Sequence, residues 1–178
     1  LGVRAYDMFS PKIEAAEVLG TVLRGGMRSR LFIEVREKQG LAYYVKAGAD
    51  SYTDHGYLAT QAGIDNKRIE KAIQIVLKEY KKIKDKPAPK HEIKKAKEYI
   101  KGHLAIELES SDSVATFFAG QWLLKNETLT PEEKLSKIMK VTAEDVQAAA
   151  EEIFRPEKLN LALIGPFEDK KKFEKLLE

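Results

Sequence analysis

Arg24-Gly25-Gly26-Met27-Arg28-Ser29-Arg30-Leu31-Phe32-Ile33-Glu34-Val35-Arg36-Glu37-Lys38-Gln39-Gly40-Leu41-Ala42-Tyr43-Tyr44 holds two glycine breaks around one apolar stripe. The pair Gly25 and Gly26 interrupts the chain. Leu31, Phe32 and Val35, at i, i+1 and i+4, then predict a helix. Gly40 stands where a left-handed residue would end that helix. After it Tyr43, Val45 and Ala47 alternate, which predicts a strand. The local order is helix, glycine corner, strand. Arg36 lies one turn before the corner and Tyr43 just after it. A corner of this kind can bring both side chains to one edge of the fold. Tyr44 is expected to face away from Tyr43, because successive strand residues alternate.

An arginine beside a tyrosine suits chemistry at a peptide bond. Attack on a carbonyl places negative charge on its oxygen. A phenol can donate a hydrogen bond to that oxygen, and a guanidinium can hold a neighbouring substrate carbonyl. The same residues also suit a purely structural part. Arg36 could pair with Glu34 or Glu37, and Tyr43 could be an ordinary strand aromatic.

The remainder of the chain reads as alternating elements. Val3 to Met8 predicts a strand. Ser10-Pro11 predicts the start of a helix that runs to about Leu23, with Ile13, Ala16, Leu19 and Val22 inward. Tyr43–Tyr52 and Gly56–Ile64 read as a hairpin turned by Thr53-Asp54-His55-Gly56. Asn66 is expected to cap an amphipathic helix ending near Lys84, with Ile69, Ala72, Ile73, Val76, Leu77, Tyr80 and Ile83 on its stripe. The proline-rich run Asp85–Pro89 is a connector. Helices follow from Lys90, from Ser111 (with Val114, Ala115, Phe117, Phe118 and Trp122 inward), from Thr130-Pro131 and from Thr142. Leu159–Ile164 predicts a last strand, closed by Gly165-Pro166, and a final helix holds Phe173, Leu176 and Leu177. Hairpin strands with helices grouped after them predict an α+β fold, with a largely antiparallel sheet and helices packed on one face.

Arg36-Glu-Lys-Gln-Gly-Leu-Ala-Tyr43, preceded by Gly25-Gly-Met-Arg-Ser-Arg-Leu-Phe32, resembles the signature of the second half of the pitrilysin/insulinase family. These are the inverted-motif zinc metallopeptidases, which include the mitochondrial processing peptidases. Lys97–Ser110, Ala143–Val146 and Leu161–Pro166 are similar to the same half, so the resemblance spans nearly the whole chain. It implies one of two similar α+β halves that face each other across a chamber. The other half carries His-x-x-Glu-His and binds zinc. This half would supply Arg36 and Tyr43, which have the family's seven-residue spacing. Gly25 and Gly26 would border the chamber and let a peptide substrate approach the backbone closely. They also suit a plain loop between two helices.

Composition narrows the rest. A chain of 178 residues with 43% apolar content can bury one core, so residues 1–178 are expected to be a single domain. The chain opens at Leu1 and enters a predicted strand almost at once. Such a strand needs a neighbour, which is the expected look of a piece of a longer protein. The 31 Lys and Arg are matched by 28 Asp and Glu, which argues against a nucleic-acid partner. No apolar run is long enough to span a membrane, and no signal peptide is visible. With no cysteine, there is neither a disulfide nor a thiolate. These features together point to the cytoplasm.

A catalytic zinc needs three protein ligands and a water. His55, His91 and His103 are the three histidines, and none belongs to His-x-x-Glu-His. His91-Glu92 begins a His-Glu-x-x-His pattern, but Lys95 stands in the second ligand position. No metal site is expected on this chain. Zinc would come from the missing first half or a partner subunit, and the chain alone is expected to hydrolyse nothing. Two functions remain open: the substrate-positioning half of a zinc metalloendopeptidase, or a non-catalytic scaffold subunit of the same family.

Overall fold

The expected hairpin builds one side of the sheet. In the computed structural model, which describes residues 1–177, β2 (Ala42–Ser51) pairs antiparallel with β3 (Gly56–Ile64). β1 (Gly2–Ala5) lies on the far side of β3, and β4 (Leu159–Asn160) pairs with β1. The order is β2-β3-β1-β4 with every neighbour antiparallel, which leaves β2 as an edge strand.

Helices cover one face of this sheet. α1 (Ile13–Arg24) packs on β2, α2 (Ile69–Asp85) on β3, and α6 (Ala143–Ile153) against β1, α1 and α2. α3 (Lys90–Glu107) packs on α1, and α5 (Pro131–Lys140) bridges α1 and α3. The core between the layers is aliphatic: Val3, Leu19, Leu23, Leu31, Leu58, Ile83, Val146 and Ile153 are all fully buried. One polar pair lies inside it. The Tyr80 hydroxyl meets Thr60 Oγ1 at 2.6 Å, and its ring stacks on Phe154 at 4.0 Å. Burial pushes the Tyr80 pKa upward, so the phenol stays protonated within the core. The opposite face of the sheet carries Arg4, Lys46, Asp50, Tyr57 and Gln61, all exposed.

Several local expectations are corrected. Ser10 does not cap α1: the helix begins at Ile13, and Ser10 closes the turn before it by accepting the Lys12 amide at 3.3 Å. Asp65, not Asn66, caps the entry to α2, through a short 3-10 turn over Asn66–Arg68. The last strand covers Leu159–Asn160, paired with Val3 and Gly2, instead of running to Ile164. α4 (Ser111–Lys125) buries none of the side chains assigned inward. Residues 130–133 and 142–145 form capping boxes as expected, with α5 and α6 starting from Thr130 and Thr142. α7 (Lys170–Glu174) buries Phe173 but ends before Leu176 and Leu177, the other two residues expected within it.

The Thr142 box makes stability depend on pH. Hydrogen bonds from the Thr142 amide and hydroxyl hold the Asp145 carboxyl below its usual pKa. Its stabilising effect is present above the ordinary carboxylate range and is lost as pH falls through the lowered value. Asp145→Ala should therefore cost up to about 1 kcal/mol at neutral pH. In urea titrations that deficit should shrink in strong acid.

Candidate active-site corner

The corner between Val35 and Tyr44 differs from the expected helix and strand in two ways, and both bear on the candidate residues. The helix is a π-helix, spanning Phe32–Glu37. Its widened turn appears in Lys38 N donating to Ile33 O at 2.9 Å, five residues back. Single π turns are uncommon and gather at functional positions. This one keeps Leu31 and Val35 buried while leaving Arg36 in water. Gly40, at φ +54, then reverses the chain. Its amide donates to Arg36 O and that of Leu41 donates to Val35 O, each at 2.9 Å. The left-handed end read from the sequence is thus present, closing a π turn instead of an α-helix.

The second difference is a β-bulge. Ala42 pairs with Ile64 and Tyr44 with Gly63, so β2 advances two residues where β3 advances one. Tyr43 is the extra residue. Strict alternation would place Tyr43 on the buried face with Val45 and Ala47. The bulge turns it out instead, leaving Tyr43 87% exposed. Tyr44 is exposed as well, at 45%. The Tyr44 ring lies over Gly63, where a Cβ would come within 2.7 Å of Tyr44 Cε1.

Arg36 and Tyr43 therefore flank one corner with both side chains in solvent. Among the described residues, no hydrogen bond or ion pair joins them. Neither acidic neighbour holds Arg36: Glu34 pairs with Lys38 at 2.7 Å, an interaction that lowers the Glu34 pKa. The Arg36 guanidinium lies 5.1 Å from the Phe32 ring centroid, a cation–π contact that directs it without neutralising it. An unpaired cation and an unpaired phenol are both free to donate to incoming carbonyl oxygens.

Gly25 and Gly26 sit at the other end of the stretch. A Cβ on Gly25 would lie 2.4 Å from Thr21 Cγ2, so no side chain fits there. Gly26 has φ +80. Gly25 lines a crevice of about 410 Å3 between α1, β2 and α3, together with Glu17, Arg24, Gly48, Tyr99 and His103. Burial raises the Glu17 pKa against the opposing pull of Lys134 at 3.8 Å.

Arg68 has no counterpart in the sequence reading. Its guanidinium donates to Gln39 O at 2.6 Å and Gly40 O at 3.0 Å, supplying the corner's exposed carbonyls with donors. Nothing local signals this contact, because its partners lie 28 and 29 residues away. The histidines are dispersed. His55 pairs with Asp54 and stacks on Tyr52, His103 stacks on Tyr99, and His91 is exposed on α3. Among the described residues no group of three His, Cys, Asp or Glu is placed to hold a metal ion, and no helix is long and apolar enough to cross a membrane.

Comparison with known proteins gives the family of the chain. Residues 1–100 match the family described as the peptidase M16 inactive domain. The chain belongs to that family of inactive peptidase domains. An uncharacterized zinc protease of Streptomyces coelicolor is 33% identical over 88% of this chain and 34% of its own length. The uncharacterized zinc protease YmxG of Bacillus subtilis is 32% identical over 93% of this chain and 40% of its own. The same organism's YmfF, named a probable inactive metalloprotease, is 30% identical over 78% of this chain and 32% of its own length. The chain thus spans about two fifths or less of these relatives. A peptidase M16 inactive domain from Pseudomonas fluorescens shares the fold, with TM-score 0.76 at 23% identity over 88% of this chain and 38% of that one.

Arg68→Ala should speed amide exchange at Gly40 and Leu41 about fivefold, the equivalent of roughly 1 kcal/mol. Exchange in the β3 centre should not change. Equal acceleration in both places would mean global unfolding and no special hold on the corner.

Proposed function

We propose that this chain is the substrate-positioning half of a zinc-dependent metalloendopeptidase that acts on peptides or unfolded protein segments. The observation that carries it is the pairing of a π turn and a bulge, which turn Arg36 and Tyr43 out to one corner with no partner of their own. The family assignment and the zinc-protease relatives support the same reading. The companion half, carrying His-x-x-Glu-His in the same chain or a separate subunit, would bring zinc with its activated water and a general base.

Within that arrangement Tyr43 donates to the oxyanion that develops on the attacked carbonyl. Arg36 donates to a neighbouring backbone carbonyl and fixes the peptide in register. Gly25 and Gly26 border the chamber, where the absence of a Cβ lets the backbone turn tightly against Thr21 and Tyr99. With no cluster among the described residues to hold a zinc ion, the chain by itself is expected to hydrolyse nothing. A location in the cytoplasm accords with the lack of cysteine.

A second reading is the scaffold subunit, which the name of the probable inactive YmfF keeps in view. The two part on one substitution. In the assembled enzyme Tyr43→Phe should lower kcat about 100- to 1000-fold, the usual effect of losing one oxyanion donor. Zinc content should be unchanged. Turnover within twofold of the parent would remove Tyr43 from the chemistry.

A further inference from the structure

α4 is the one helix whose composition contradicts its surroundings. Val114, Phe118, Trp122, Leu123 and Leu124 lie along it, yet none of its residues is buried. Trp122 is 61% exposed and Leu123 82% exposed, and Ile106 at the end of α3 stands open beside the same connection. Asp112 and Lys125 are its only charged residues, in a chain that is 33% charged overall. Its apolar residues are spread around the whole circumference instead of along one stripe.

The helix is nevertheless well defined. Ser110 caps its start by accepting the Ser113 amide at 3.1 Å, and Asn126 ends it in the left-handed region at φ 53. The Gln121 carboxamide ties it to the following loop, donating to Leu129 O and accepting from Leu129 N. The chain returns to the body at α5, where Lys134 reaches Glu17 of α1.

A helix that is apolar all round is one enclosed by other protein in the working molecule. An isolated helix of about this length is marginal in water, so packing must supply the rest of its stability. A transient partner would leave this surface facing water between encounters and would favour a polar one. An uncharged surface on every side fits a permanent partner, whose interface resembles a divided core. The protein chains related to this one are more than twice as long, since it covers 34% and 40% of two of them.

We propose that α4, with Ile106, is the docking element that inserts into the zinc-binding companion half. The proposal rests on reading the chain as one half of a peptidase, and it adds where that half is gripped. Coverage by the companion would enclose Trp122 and hold Arg36 and Tyr43 in a fixed relation to the zinc.

Trp122 is the only tryptophan, so the chain labelled with fluorotryptophan gives one fluorine resonance. In the free chain that resonance should differ between light and heavy water, as for an exposed indole. Adding the unlabelled companion half should shift it and abolish the difference. Leu123→Asp, at an exposed position that leaves the free fold intact by circular dichroism, should weaken the complex more than about tenfold. Lys78→Ala, on the exposed side of α2, should leave affinity unchanged.

Three results would overturn the proposal: no complex, a complex in which Trp122 stays water-exposed, or loss of exposure in the chain alone through a second copy. These binding readouts do not depend on turnover. If Trp122 is covered but Tyr43→Phe keeps full activity, the docking surface stands and the catalytic reading falls.

Discussion

The backbone between Val35 and Tyr44 must pass from helix to edge strand in a few residues while keeping two long polar side chains in water. The catalytic reading of this chain depends on how that is done. Leu31 and Val35 must stay in the core, which fixes the rotation of the helix. An added π turn and an added strand residue absorb the mismatch, and Gly40 takes the left-handed bend between them. No hydrogen bond or ion pair joins Arg36 to Tyr43 among the described residues, so the backbone, with Phe32 under the guanidinium, sets their mutual position. Arg68 reinforces that backbone from the turn before α2.

Much of the fold was legible because its signals are local. The α2 stripe, the two capping boxes, the β2–β3 hairpin and the α+β class follow from period, caps and turn residues. The corner was legible in part. Gly40 announced the end of the helix, and the Arg36 to Tyr43 spacing marked the residues through a family resemblance. The π turn and the bulge were not legible, because each is set by competition between distant packing demands and leaves no residue signature. Alternation alone would have buried Tyr43. Arg68 was missed for the same reason, and α4 was placed inside because apolar residues normally are.

That last error is informative. The Ser111-Asp112 start correctly marked α4 as a helix, but among the described residues its apolar side chains find no core. The physics of burial is unchanged, and what differs is the protein that supplies the other side. An exposed apolar helix with charge only at its two ends, Asp112 and Lys125, is what the proposed assembly with a companion half requires. The same logic explains a corner with an unpaired cation and an unpaired phenol. On the proposed reading both features await a second surface, and the nucleophile would come with it.

The most direct test of this account is hydrolysis of a quenched unstructured peptide, in the presence of zinc, by this chain alone, by the companion half alone and by the two together. The account predicts turnover only in the mixture. Turnover by this chain alone would contradict it by revealing a catalytic centre elsewhere in these residues. An inactive mixture that nonetheless forms a stable complex would contradict the catalytic role and leave a scaffold.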